Sequence, residues 1–292
     1  MATLKDLRTR IGSIGSIRRV TRAMQLVAAA HLRRAQEAIE AARPYAVHLE
    51  RVLEQLRESE LGGQHPMLAD RPVRRAQVVV LTSDRGLCGG FNSAICRCAT
   101  AEMARLGQGP TARVEIDLVA IGRVGRDHFQ KRGCQLVEEH VGAFRASPTF
   151  GEAAAVAQAA TARFLAGQVD RVLLVYSEFR SVAQQVATAH QLLPVPPMPA
   201  GEGGGHLHNS IFEPEPAALL ADLMPRFVRY AVWRAFLESY AAEQAARLAA
   251  MDNATRNAGD FIEELTRELN KVRQASITLE LMDIVGGAQA VA

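Results

Sequence analysis

Apolar residues recur along this chain with two different periods, and the change between them divides it into three. Residues 3–58 carry a helical pattern, with Leu4, Leu7, Ile11 and Ile14 stepping by three and four along one face. Through Ile17 and Val20 the steps fall to three and three before the pattern resumes at Met24, Val27 and His31. That inserted short step predicts a stammer, a local overwinding of a coiled coil, and Gly12 and Gly15 lower helix propensity just before it. Pro44 predicts a kink or local irregularity, yet Leu49, Val52, Leu53 and Leu56 carry the pattern beyond it. Gly62-Gly63 and Pro66 end it.

The middle third changes to short runs. Gln77–Thr82 is apolar and rich in valine, which suits a strand buried on both faces of a parallel sheet. Further strand-like runs lie at Arg113–Ile121, Cys134–Glu138, Arg171–Tyr176 and Ala183–Leu193, with helical patterns at 90–106, 123–132 and 150–167. Alternating strands and helices imply a doubly wound α/β sheet, and the last two strands are close enough in sequence for an antiparallel hairpin. The stretch from Pro194 to Pro216, with Pro196-Pro197 and Gly203-Gly204-Gly205, reads as an exposed loop.

Beyond Pro216 the helical period returns, interrupted only by Pro225 and Gly259 before Gly286. Alternating steps of four and three from Leu237 reach Leu279, and of these positions only Gln244, Thr255 and Ser276 are not apolar. A repeat sustained that long signals a coiled coil. Taken as one helix, residues 226–285 would extend ~90 Å at ~1.5 Å per residue, too far to belong inside the sheet domain. Two long amphipathic helices flanking a globular insert can bury their stripes on each other only as an antiparallel pair. The expected fold class is therefore α/β: an antiparallel two-helix coiled coil from the N- and C-terminal helices, plus a central Rossmann-like α/β domain. The segments are an N-terminal helix over 1–60, the α/β domain over 74–195, a loop over 196–216 and a C-terminal helix over 217–290.

Composition narrows the function. Aromatics are only 5% of 292 residues, which suits close-packed helices better than a bulky enzyme core. The net charge of +3 does not point to nucleic acid, so the arginines of the first helix read as a solvated face or one turned to an acidic protein. Those arginines resemble a transit peptide in composition, but the helical pattern runs on past residue 40, favouring a helix retained in the mature chain. No apolar run reaches the ~20 residues of a membrane span. Cys88, Cys96, Cys98 and Cys134 lack metal-ligand spacing and read as reduced thiols, and His206 and His208 lack further ligands nearby.

One segment could hold a ligand. Thr82–Asn92, TSDRGLCGGFN, sets a Gly-rich turn between a strand and a helix, where backbone N–H groups can cradle phosphate. It contains neither G-K-[ST] nor G-x-G-x-x-G. An α/β enzyme using this turn for a phosphate ligand, or a coiled-coil scaffold, is the alternative reading. No catalytic residue, metal site or cofactor is expected.

The C-terminal helix closes on Ile277, Thr278, Glu280, Asp283, Gly287 and Ala288, with polar residues at fixed spacing. With Thr21–Gln36, Thr82–Asn92, Tyr176–Gln184 and Glu243–Ala258, this signature resembles the γ subunits of F-type ATP synthases, the central stalk of that rotary enzyme. The resemblance spans the chain. It implies a non-catalytic rotor subunit that couples ion flow through a membrane c ring to ATP synthesis or hydrolysis. The implied partners are three α and three β subunits, the ε subunit and the c ring, without nucleic acid. It implies a peripheral protein on the cytoplasmic face of a bacterial plasma membrane. The contacts to β implied at matching positions are Met24, Arg247, Arg273, Gln274, Thr278 and Glu280. His31 and the Gly-rich stretch 200–213 depart from the family's usual pattern.

Overall fold

Both ends of the chain are helical: α1 covers Leu4–Glu58 and α5 covers Pro216–Val291, with Pro44 and Pro225 inside them. The structure is a computed structural model and describes residues 3–58, 65–107, 114–144, 146–196 and 215–291. His206, His208 and the glycines of the proposed loop lie outside those residues. Between the long helices run β1 (Arg75–Leu81), α2 (Phe91–Gly107), β2 (Glu115–Ile121), α3 (Arg123–Gln130), β3 (Leu136–His140), α4 (Phe150–Leu165), β4 (Arg171–Phe179) and β5 (Gln185–Leu193). The chain packs as two units whose boundaries fall inside the long helices. One comprises Ala29–Arg247, the other Met1–Ala28 with Leu248–Ala292.

In the unit Ala29–Arg247 the five strands form one sheet in the order β3-β2-β1-β4-β5. The first four are parallel, and β5 returns antiparallel beside β4 as the hairpin reading expected. β1 sits at the centre, and six of its seven residues are buried, which is why it reads as an apolar run without alternation. Its pleat divides them: Ala76, Val78 and Val80 join Phe91, Ile95 and Ala99 of α2 in one core cluster, while Gln77, Val79 and Leu81 turn to the other face. On that other face, an ion pair between Arg234 and the buried Glu238 of α5 lies near Tyr176 of β4. α4 opens with a capping box, in which Thr149 Oγ1 accepts from Glu152 N and Thr149 N donates to Glu152. Tyr230 Oη donates to the Ala42 carbonyl at 3.0 Å, and Tyr240 Oη lies 3.2 Å from His31 Nδ1, joining α5 to α1 within this unit. The third strand begins two residues later than the pattern predicts, because Cys134 still belongs to the turn that closes α3, its N–H donating to Phe129 O.

The second unit is a helix pair. Every position of the stripe from Leu248 to Ser276 is buried or half-buried, and Leu279 is exposed. The facing stripe of α1 differs from the reading. It runs through Leu7, Ile11, Ile14, Thr21, Gln25 and Ala28, with no stammer; Ile17, Val20 and Val27 are exposed. Three polar layers replace the expected apolar ones. Arg18 lies over Gly259, where an added Cβ would meet its guanidinium carbon at 3.7 Å. Thr21 Oγ1 and Thr255 Oγ1 are 2.8 Å apart, and Gln25 Nε2 donates to Asp252 Oδ1 at 2.9 Å. Rising residue numbers on α1 meet falling numbers on α5, so the pair is antiparallel.

Candidate partner-binding surface

The strand order reverses between β1 and β4, and an open α/β sheet binds ligands at the C-terminal ends of its strands at such a point. The Gly-rich turn sits there, and its Asp84 carboxylate is bound by backbone N–H groups from outside the turn. Asp84 is buried, and its Oδ1 accepts from Arg123 N at 3.0 Å and Gly142 N at 2.9 Å. Its Oδ2 accepts from Phe144 N at 2.9 Å. These are the kind of backbone donors that cradle phosphate elsewhere, and here a carboxylate occupies them. The approach is tight: Gly122 has φ of 92°, and a Cβ there would stand 2.1 Å from Thr82 O, so only glycine fits. Ser83 N donates to Asn92 Oδ1 at 2.9 Å and fixes the start of α2. The N–H groups of Arg123, Gly142 and Phe144 are thus already taken and are not free for a phosphate.

Arg247, expected to face a partner, is held within the chain. Its guanidinium donates to Glu243 Oε1 at 2.6 Å, Gln244 Oε1 at 3.2 Å and the Gly86 carbonyl of the Gly-rich turn at 3.3 Å. Glu243 is only 2% exposed, and burial pushes its carboxyl up to about 7 against the opposing pull of Arg247. A helical i, i+4 spacing explains the pair.

The other expected contacts lie in the helix-pair unit, on its open surface. Met24 is half-buried beside the seam, and Arg273, Gln274, Thr278 and Glu280 are exposed. Thr278 Oγ1 donates back to Gln274 O at 2.9 Å and Ser276 Oγ approaches Glu280 Oε1 at 3.4 Å, so both bonds stay within one helix. Around them Ile277, Leu279, Leu281, Met282, Ile284 and Val285 are 48% to 68% exposed. The turns from Ile277 to Val285 thus present apolar side chains outward, and Ile17, Val20, Leu26 and Val27 of α1 form a separate exposed apolar group. Contiguous apolar exposure of this kind marks a protein interface.

Residues 3–291 match the family described as ATP synthase. The ATP synthase gamma chain of Anaeromyxobacter sp. (strain K) is 45% identical over 293 residues, covering 99% of each chain. The chain belongs to the ATP synthase gamma family. A central stalk solved with the c-ring of the Tetrahymena thermophila mitochondrial ATP synthase is 26% identical, has a TM-score of 0.60, and spans 80% of this chain and 99% of its own. A chain of the Euglena gracilis mitochondrial enzyme shares the fold at a TM-score of 0.67 and 19% identity, covering 99% of this chain and 94% of that one.

As a gamma chain it is a stalk subunit of a membrane-associated complex, and among the described residues no helix is long and apolar enough to cross a membrane. Burial raises the thiols of Cys88 and Cys98 and pushes Cys96 up to about 11, which disfavours the nucleophilic thiolate at each. Among the described residues no group of His, Cys, Asp and Glu could hold a metal. Sequence reasoning passed over Asp84 and the seam residues Arg18, Thr21, Gln25 and Asp252, and met Thr255 only as a non-apolar position of the stripe. A polar residue at a seam position is the signal that could have found the seam. Nothing local announces the role of Asp84, whose donors lie 39 to 60 residues away.

Proposed function

We propose that this gamma chain is the turning shaft of an F-type ATP synthase, driven by ion flow through a membrane c ring and itself making and breaking no bonds of ATP. The observation that carries the reading is the uncovered C-terminal end of α5. From Ile277 to Val285 its apolar side chains are uncovered by any other described residue, while Arg273, Gln274, Thr278 and Glu280 are exposed beside them. A sleeve of three α and three β subunits would bury that surface, and the polar set would meet β side chains. Met24 joins them from α1. Arg247 differs from the other five, since it reaches a neighbour only by exchanging the partners it already holds. A shaft that is not three-fold symmetric touches each β subunit differently, and a differential interaction of this kind shifts each between its states. The ε subunit and c ring are the partners of the sheet-bearing unit, and the location is the cytoplasmic face of a bacterial membrane.

The test is Gln274→Ala combined with Thr278→Ala in the reconstituted enzyme. Neither side chain bonds another helix, so the fold is expected to stand while ions pumped per ATP fall. Unchanged pumping per ATP would overturn the assignment of these two residues. Failure of the chain to assemble with matching α and β subunits would overturn the shaft reading itself.

A further inference from the structure

Arg247 and Glu243 carry more than a structural pair needs. Glu243 is shut from solvent, bonds one cation, Arg247, feels Arg85 more weakly, and shares its surroundings with a second carboxylate, Asp84. The charged and titratable groups about it are Arg247 and Tyr240 on its own helix, and Asp84, Arg85 and Cys88 on the Gly-rich turn. His31 of α1 stands behind Tyr240. Removing the charge on Glu243 removes the only anion that Arg247 holds, leaving the Gln244 amide and the Gly86 carbonyl. A guanidinium kept out of water without a carboxylate is costly, whereas the same group swung to the surface is not.

We propose that Glu243 is a proton-controlled latch on Arg247: with the carboxyl charged the guanidinium is held against the Gly-rich turn, and with it neutral the guanidinium turns outward to a carboxylate on a neighbouring subunit. This rests on reading Arg247 as a partner contact. Burial already pushes Glu243 up to about 7, and losing Arg247 raises it further, since Arg247 is the strongest influence holding it down. By linkage, capture of Arg247 by a partner then draws a proton onto Glu243. The proton comes from solvent and goes to one carboxylate oxygen, and no covalent bond of the backbone or ligand changes.

The experiment is calorimetric titration of the full chain with its α and β subunits, in two buffers of different ionisation heat, which reads the protons taken up on assembly. At about pH 8 the chain is expected to take up close to one proton, and at about pH 6 almost none. Assembly should weaken by about tenfold between those two values. Glu243→Gln, which fixes the neutral form, should remove that uptake and that weakening; retention of either in the variant would overturn the latch. Arg247→Gln separates the two ideas. If it weakens assembly while the parent chain shows no uptake, the contact stands and the latch fails. If it leaves assembly unchanged, Arg247 is no partner contact and the latch falls with it.

Discussion

Replacing Asp84 by alanine should unmake the Gly-rich turn from within, and the cost can be worked from its bonds. The carboxylate satisfies three backbone N–H groups, those of Arg123, Gly142 and Phe144, at 2.9 to 3.0 Å. An orphaned buried donor costs about 1–3 kcal/mol. Phe144 is buried and should bear the upper end of that range, whereas Arg123 is exposed and water can reach its N–H. Asp84→Ala is therefore expected to destabilise the chain by about 3–6 kcal/mol. Asp84→Asn retains one accepting oxygen but sets an amide donor toward an N–H, and should cost about 2–4 kcal/mol. Alanine leaves behind a vacancy the size of one carboxylate, lined by three convergent donors, so formate should restore part of the loss. At ten times its dissociation constant the gain is about 1.4 kcal/mol. Urea unfolding of the three chains, in formate against chloride at equal ionic strength, measures both effects. An alanine variant that unfolds with the parent, or one indifferent to formate, would refute the account of the turn as filled by its own anion.

Two further outcomes are expected. Thr21→Val, Thr255→Val and the double variant should show a coupling of about 1 kcal/mol in a double-mutant cycle, since one hydroxyl donates across the seam while the other keeps its proton on its own helix, at Arg18 O or Met251 O; strictly additive losses would mean the cross-helix bond contributes nothing. Glu243 titrates near 7 in the folded chain against an ordinary value of 4.5, so the folded form holds its proton more tightly. Stability should accordingly fall as pH rises through that window, by an amount on the order of 3 kcal/mol, and level off above it. Glu243→Gln should flatten this part of the curve, and a variant with the parent's slope would place the titration elsewhere.

The sheet was legible where burial is two-sided: β1 and β4 are apolar runs because neither face meets water. The edge strand β3 was placed two residues early, since Cys134, apolar enough to be counted into the strand, still closes the turn after α3. The α5 stripe was readable because its apolar positions are the covered ones. The α1 stripe was not, and the reason is instructive. A periodicity count follows apolar residues, but here Arg18, Thr21 and Gln25 lie in or beside the seam while Ile17, Val20 and Val27 face outward. The count tracked an exposed apolar face and took the crossing between two faces for a stammer. The Gly-rich turn was recognisable as a turn, but its occupant depends on N–H groups brought in from β3 and α3 connections that no local pattern reveals.

The seam has a mechanical meaning for a molecule that is twisted in use. Torque on a two-stranded cable tends to make one strand creep along the other, and a smooth apolar interface resists creep poorly because one leucine is much like the next. Here Arg18 rests over Gly259, the two threonines meet at one level, and Gln25 engages Asp252 a turn further on. Slip by a heptad would set Thr21 against Leu248 and separate Gln25 from Asp252. The strands are keyed like teeth on a spline, so an angular displacement at one end arrives at the other as an angle and is not dissipated as slip.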